Sequence, residues 1–185
     1  MKLKKVEKLC RAQKSIVVML REQEQWIGDG EGLYADFYSL PPMREDMAFA
    51  VFDIPEESRG RWLFSERQNM PGVNFEDADE TEIALESDLM EIRVNGKTLL
   101  PLRHGDRIAF VKKRLLEPFA DEPEGYQLYE REGMAGDRKV HYIAVKRGLF
   151  LIGILDEYRV RLDELASALE EMATMCRVRS AREEK

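Results

Sequence analysis

The chain has 185 residues, 44% hydrophobic and 35% charged, with a formal net charge of −7 and a pI near 5.1. That balance belongs to a globular protein with a heavily charged surface. It argues against generic duplex binding, which needs clustered Lys and Arg to release counterions from the phosphates. The longest apolar run, 149–155, is interrupted by Gly153 and falls far short of the roughly 20 residues that span a bilayer, so no membrane span is expected. After the basic opening Met1–Lys5, the charged Glu7, Lys8 and Arg11 leave no room for an export signal, and a cytoplasmic location is expected. The length favours one domain, 1–185.

Residues 2–13 read as an amphipathic helix: Leu3, Val6 and Cys10 recur at spacings of three and four, and lysines fill the opposite face. Ser15–Leu20 carries consecutive β-branched residues and predicts a buried strand. Trp26-Ile27 is a short second strand, ended by Gly28-Asp29-Gly30-Glu31-Gly32, and 33–38 is a third. Pro41-Pro42 stops it. A helix over 43–52 is expected to turn Met43, Met47, Ala50 and Val51 inward. Asp53-Ile54-Pro55-Glu56-Glu57 starts another short helix, expected to carry Trp62, Leu63 and Phe64. Residues 69–80, with Pro-Gly and many acids, read as a mobile loop.

The second half reads as β. Strands 89–94 and 97–102 flank Asn95-Gly96, the strongest short hairpin signal. Strands follow at 107–111, 126–131, 139–146 and 149–155; the last is apolar on both faces and is therefore expected to be central. The chain closes on an amphipathic stretch over 162–176, with Leu162, Leu165, Leu169, Met172 and Cys176 on one stripe. These segregated elements predict an α+β fold: a mostly antiparallel sheet packed by an N-terminal helix and a long C-terminal helix. Val145, Phe150, Ile152, Ile154, Leu165, Leu169 and Met172 are expected to form one core.

Signals for chemistry are few. Cys10 and Cys176 have no motif spacing and are expected in the core. His104 reads as a turn residue and His141 as a strand-surface residue, neither near a nucleophile signature. The Gly28–Gly32 loop lacks the lysine and hydroxyl of a phosphate loop and the acid ladder of a calcium loop, so it reads as a tight turn. No catalytic residue, metal ligand or cofactor is assigned. The dense carboxylates from Glu76 to Asp88, with no base among them, are the candidate partner-binding segment: Glu76, Asp77, Asp79, Glu80 and Glu82. Lys112, Lys113 and Arg114, beside Phe110 and Phe119, are the alternative nucleic-acid contact.

Four stretches, Met1–Cys10, Gln25–Gly30, Val51–Pro55 and Tyr142–Phe150, together resemble small uncharacterised proteins encoded by phages and prophages of gut Firmicutes. Some acidic proteins of that setting are type II-A anti-CRISPRs, which bind and inhibit Cas9. The resemblance therefore implies a non-catalytic binding protein with a protein or ribonucleoprotein partner, Cas9–guide RNA first. It carries no site residues, because anti-CRISPRs share no motif. A rival expectation, from the helix–strand–strand–strand rhythm alone, is a sliding-clamp-like replication or DNA-accessory protein using Lys112, Lys113 and Arg114.

Overall fold

A computed structural model of the chain describes residues 3–21, 24–36, 40–87, 90–105, 107–122, 125–161 and 166. In chain order the elements are α1 (Leu3–Gln13), β1 (Ser15–Arg21), β2 (Glu24–Gly28), β3 (Gly32–Asp36), α2 (Glu45–Val51), α3 (Glu56–Arg59), β4 (Leu63–Arg67) and β5 (Ile83–Ser87). Then come β6 (Ile92–Val94), β7 (Lys97–His104), β8 (Arg107–Lys112), a 3₁₀ segment (Lys113–Phe119), β9 (Gln127–Ala135), β10 (Arg138–Arg147) and β11 (Phe150–Asp156).

Eleven strands join one sheet in the order β4-β1-β2-β3-β11-β10-β9-β5-β7-β6, with β8 also paired to β7. All pairings are antiparallel except β1 with β4. The apolar run at 151–155 earns its central place: β11 lies between β3 and β10, with all five of those residues buried. Asn95-Gly96 closes a two-residue hairpin in which Val94 faces Lys97. Its φ angles of 49° and 73° are those of a type I′ turn, which matches the twist of the strands it joins.

Alternation along the strands makes two cores. On one face Ile16, Val18, Ile27, Tyr34, Ile143 and Val145 pack beneath α1, α2, the 3₁₀ segment and inward residues of β7 and β8. On the other, Val17, Met19, Trp26, Leu33, Tyr142 and Ala144 pack with Phe75, against which Met70 and Val73 also lie. The loop is the cover of this second face. Its apolar residues are sparse, but Met70, Val73 and Phe75 all pack on the sheet, and Phe75 meets Trp26 edge to face at 5.1 Å.

The α+β expectation is corrected. Strands take 47% of the described residues and helices 20%, and each helix is short. The physical reason lies in two largely exposed strands. Trp62, Leu63 and Phe64 are expected on a short helix, and 83–87 falls within the acidic run from Glu76 to Asp88. Leu63–Arg67 and Ile83–Ser87 instead pair into the sheet, β4 at its edge and β5 between β9 and β7. Both stay largely uncovered, so that their apolar Leu63 and Ile83 remain exposed. Of the predicted helix at 162–176 only Ala166 is described, helical and exposed; Leu162, Leu165, Leu169, Met172 and Cys176 lie outside the described residues. The single expected core also divides: Val145 and Ile152 face one side, Ile154 the other, and Phe150 is exposed. In α2 the inward residues are Ala48 and Phe49, while Met47, Ala50 and Val51 face out.

Candidate functional site

The acidic segment is built around a base from another strand. Arg131 in β9 is 0% exposed, and β9–β10 alternation points it to the second face beside Tyr142, its directly paired residue. Its Nε donates to Glu82 Oε2 at 2.9 Å, Nη1 to Glu76 O at 2.8 Å and Asn74 O at 3.3 Å, and Nη2 to Asp77 O at 3.0 Å. Lys146 donates to the other Glu82 oxygen at 2.8 Å. Asn74 N donates to the Tyr142 hydroxyl at 2.9 Å. The turn is therefore pinned through its own carbonyls.

Each predicted acid has a definite place. Glu76 is exposed and pairs with Arg21 at 2.7 Å. Asp77 Oδ1 accepts from Leu151 N at 2.7 Å. Asp79 accepts from Thr81 and from Asn74; these bonds outweigh desolvation and lower its pKa. Glu80 is exposed, and Glu82 is the counter-ion of Arg131 and Lys146. Glu76, Asp77 and Glu80 are the outward carboxylates of the five.

The bond from Leu151 to Asp77 sets this acidic turn against the start of β11. There Gly148-Leu149 forms the two-residue connection between β10 and β11. Leu149 is 81% exposed and Phe150 59%. Sequence reasoning placed both in a core strand because they open an apolar run. The signal that relocates them is Gly148, which puts Leu149 in the turn itself.

Two of the predicted basic residues, Lys112 and Arg114, meet the Gly28–Gly32 loop. Asp29 Oδ1 accepts from Glu31 N and Gly32 N, both at 3.0 Å, which shapes the loop as a turn. Arg114 donates to Asp29 Oδ2 at 2.8 Å and also pairs with Glu31. Lys112 pairs with Glu31 and Lys113 with Glu91. All three bases thus end on carboxylates. Burial works against the charged form of Glu31, but Lys112 and then Arg114 outweigh it and lower its pKa. Cys10 is fully buried, and burial first, then Asp29, pushes its thiol pKa far up; Cys176 lies outside the described residues.

Asp156 borders the same network, with its N–H donating to Glu31 O at 2.7 Å. Desolvation, then the charge of Glu31, pushes its carboxyl up to about 6, against the pull of Lys112. The folded state therefore holds this proton more tightly than the unfolded chain. Ionised Asp156 destabilises the fold fully above pH 6, and the penalty fades as pH falls towards its ordinary 3.8. Because the residue is exposed at its outer edge, screening keeps the penalty under about 1 kcal/mol. Asp156→Asn is expected to raise the melting temperature by a few degrees at pH 7.5 and not at pH 4, measured by thermal unfolding; an equal gain at both would rule out this cause.

His141 is not the surface residue expected. Its side chain is largely covered among Glu130, Glu132 and Arg107. One ligand atom each from Glu130, His141 and Glu157 lies within 4.8 Å of the others, a donor set chemically suited to a divalent cation. Arg107 Nη2 occupies the space between them, 2.7 Å from Glu130 Oε1, 3.2 Å from His141 Nδ1 and 3.6 Å from Glu157 Oε1. With a proton on Nδ1 the ring donates to Glu130, 2.9 Å away; without it, the ring accepts from Arg107. His104 ends β7, exposed.

No protein-family model, curated protein or solved structure matches this chain. No helix among the described residues is long and apolar enough to cross a membrane.

Proposed function

We propose that the protein is a non-catalytic binding module that docks on a partner macromolecule through the β10–β11 turn and the adjoining acidic turn, with a Cas9–guide RNA complex as the first partner to test. The observation that carries this reading is the exposure of Leu149 and Phe150 at a turn tied to Asp77. Two adjacent large apolar side chains on a tight turn expose area that water disfavours, and a partner pocket would recover it. Asp77, tied to Leu151, and the exposed Glu76 and Glu80 of the same acidic turn suit a partner whose pocket has a basic rim. The positively charged channels of a Cas9-type effector have that character.

The test is kinetic binding to purified Cas9–guide complex across a salt series. Leu149→Ser with Phe150→Ser is expected to weaken binding about tenfold or more through faster dissociation, as loss of an apolar anchor does. Glu76→Gln with Glu80→Gln is expected to slow association at low salt and to leave dissociation unchanged. If the natural protein does not bind, Cas9 is not the partner. If it binds and both variants bind equally well, this surface is not the contact. The clamp-like reading draws on Lys112, Lys113 and Arg114 as DNA contacts, and no specific observation favours it, since each ends on a carboxylate.

A further inference from the structure

A second feature lies away from the docking turn, where the Asn95-Gly96 hairpin overhangs the 3₁₀ segment. A cleft of about 610 Å³ is lined there by Gln13, Thr98, Lys97, Lys112, Lys113 and Arg114, with Glu31 and Glu117 at its wall. Its size falls within the range of small-molecule sites. Lys112 and Arg114 are neutralised by Glu31 and Asp29, Lys113 by Glu91, and Glu117 is taken by Lys8. Lys97 differs. Among the described residues its ammonium pairs with no carboxylate; it donates to the Tyr158 hydroxyl at 3.4 Å and lies 4.8 Å from that ring's centroid.

Lys112 lies 5.4 Å from the same centroid, so the two ammonium nitrogens are within about 10 Å of each other. Two like charges are thereby gathered at one aromatic ring, and of the two only Lys112 is held by a carboxylate, Glu31, which it shares with Arg114. An anion bridging them would supply the missing charge. We infer that this cleft binds a phosphoryl group, carried by a nucleotide or by the end of a nucleic-acid strand. The donors favour phosphate over carboxylate: the exposed Lys97 ammonium, with Lys112 on the same ring and held by Glu31, acts as a point charge with three rotatable N–H groups, which suits a tetrahedral group with three outer oxygens. Planar carboxylates are better matched by a guanidinium fork, and Arg114, the one guanidinium in the lining, is already engaged by Asp29 and Glu31.

The experiment is calorimetric titration of the full chain with four probes: inorganic pyrophosphate, ATP, a 5′-phosphorylated single-stranded oligonucleotide, and the same strand without its phosphate. Lys97→Ala is the informative variant, because Lys97 is exposed beside a turn and its loss leaves the core untouched; Lys139→Ala, on β10 and paired with Glu132, is the control. Saturable binding of pyrophosphate or ATP, weakened about fivefold or more by Lys97→Ala and unchanged by Lys139→Ala, is the expected result. Preference for the phosphorylated strand over its twin would assign the strand end as the source, and binding of ATP but neither strand would assign the nucleotide. No saturable binding of any probe would overturn the inference. So would equal binding by the natural and Lys97→Ala proteins, or equal binding of the two strands without binding of pyrophosphate or ATP. The Leu149→Ser, Phe150→Ser protein should bind these probes normally, which separates this cleft from the docking surface.

Discussion

Arg131→Met is expected to remove about 3–5 kcal/mol of stability, the cost of breaking a buried ion pair from one side. The methionine fills much of the same volume but cannot donate. Glu82 would then lose its closest counter-ion, and the carbonyls of Asn74, Glu76 and Asp77 would lose the donors that hold them. The loop carrying Phe75 would lift from Trp26, so the loss of packing adds to the loss of hydrogen bonding. Arg131→Lys keeps the charge without the planar fork and should fall between the two. Urea unfolding measures all three proteins. A Met variant within about 1 kcal/mol of the natural protein would mean that the turn is not held by this side chain.

Gly28→Ala is expected to cost about 2–3 kcal/mol, the upper part of the range for forced overpacking. A Cβ at that position would sit 1.7 Å from the carbonyl oxygen of Gly32. The obstacle is backbone, so no side-chain rotation relieves it, and the end of the β2–β3 hairpin must open. Opening moves Asp29, which shapes the turn and holds Arg114. Gly60→Ala makes a clean comparison. A Cβ there meets nothing within 4 Å and the residue is already in right-handed helical geometry, so that change should stabilise by about 0.4–1 kcal/mol through the unfolded chain. Thermal and urea unfolding of both variants would test the contrast; equal effects would remove the steric explanation.

The parts of the fold that were legible in sequence are those whose determinants are local. Asn95-Gly96 needs only its own two residues to specify a type I′ turn, and the apolar run through 151–155 needs only its composition to demand cover on both faces. Leu63–Arg67 and Ile83–Ser87 were not legible as strands, because each takes its pairing from neighbours distant in sequence and neither buries a face whose alternation would announce it. The acidic segment shows the same limit in charge. It has no base of its own, yet Arg131 reaches Glu82 across 49 positions and Lys146 across 64. Local density therefore suggested free carboxylates where the fold pairs Glu76 with Arg21, ties Asp77 to Leu151 N, makes Glu82 the counter-ion of Arg131 and Lys146, and leaves Glu80 exposed. At the docking turn, composition outweighed position: Leu149 and Phe150 were read by their hydrophobicity, while Gly148 governs where they point.

The adjacency of β3 and β11 has a consequence for how a ribosome delivers this protein. Leu33 pairs with Ile154, so the middle of the sheet joins the first strands synthesised to the last of those described. Until Phe150–Asp156 emerges, the β1–β2–β3 meander and the β9–β10 hairpin each present a bare edge, and the apolar faces on both sides of the gap stay wet. Pairing across so much intervening chain is slow to form, and exposed edges during that wait invite association with other nascent chains. β11 thus acts as a keystone in time as well as in space: a chain cut short before it would be prone to aggregate, whatever the soundness of the hairpins already made.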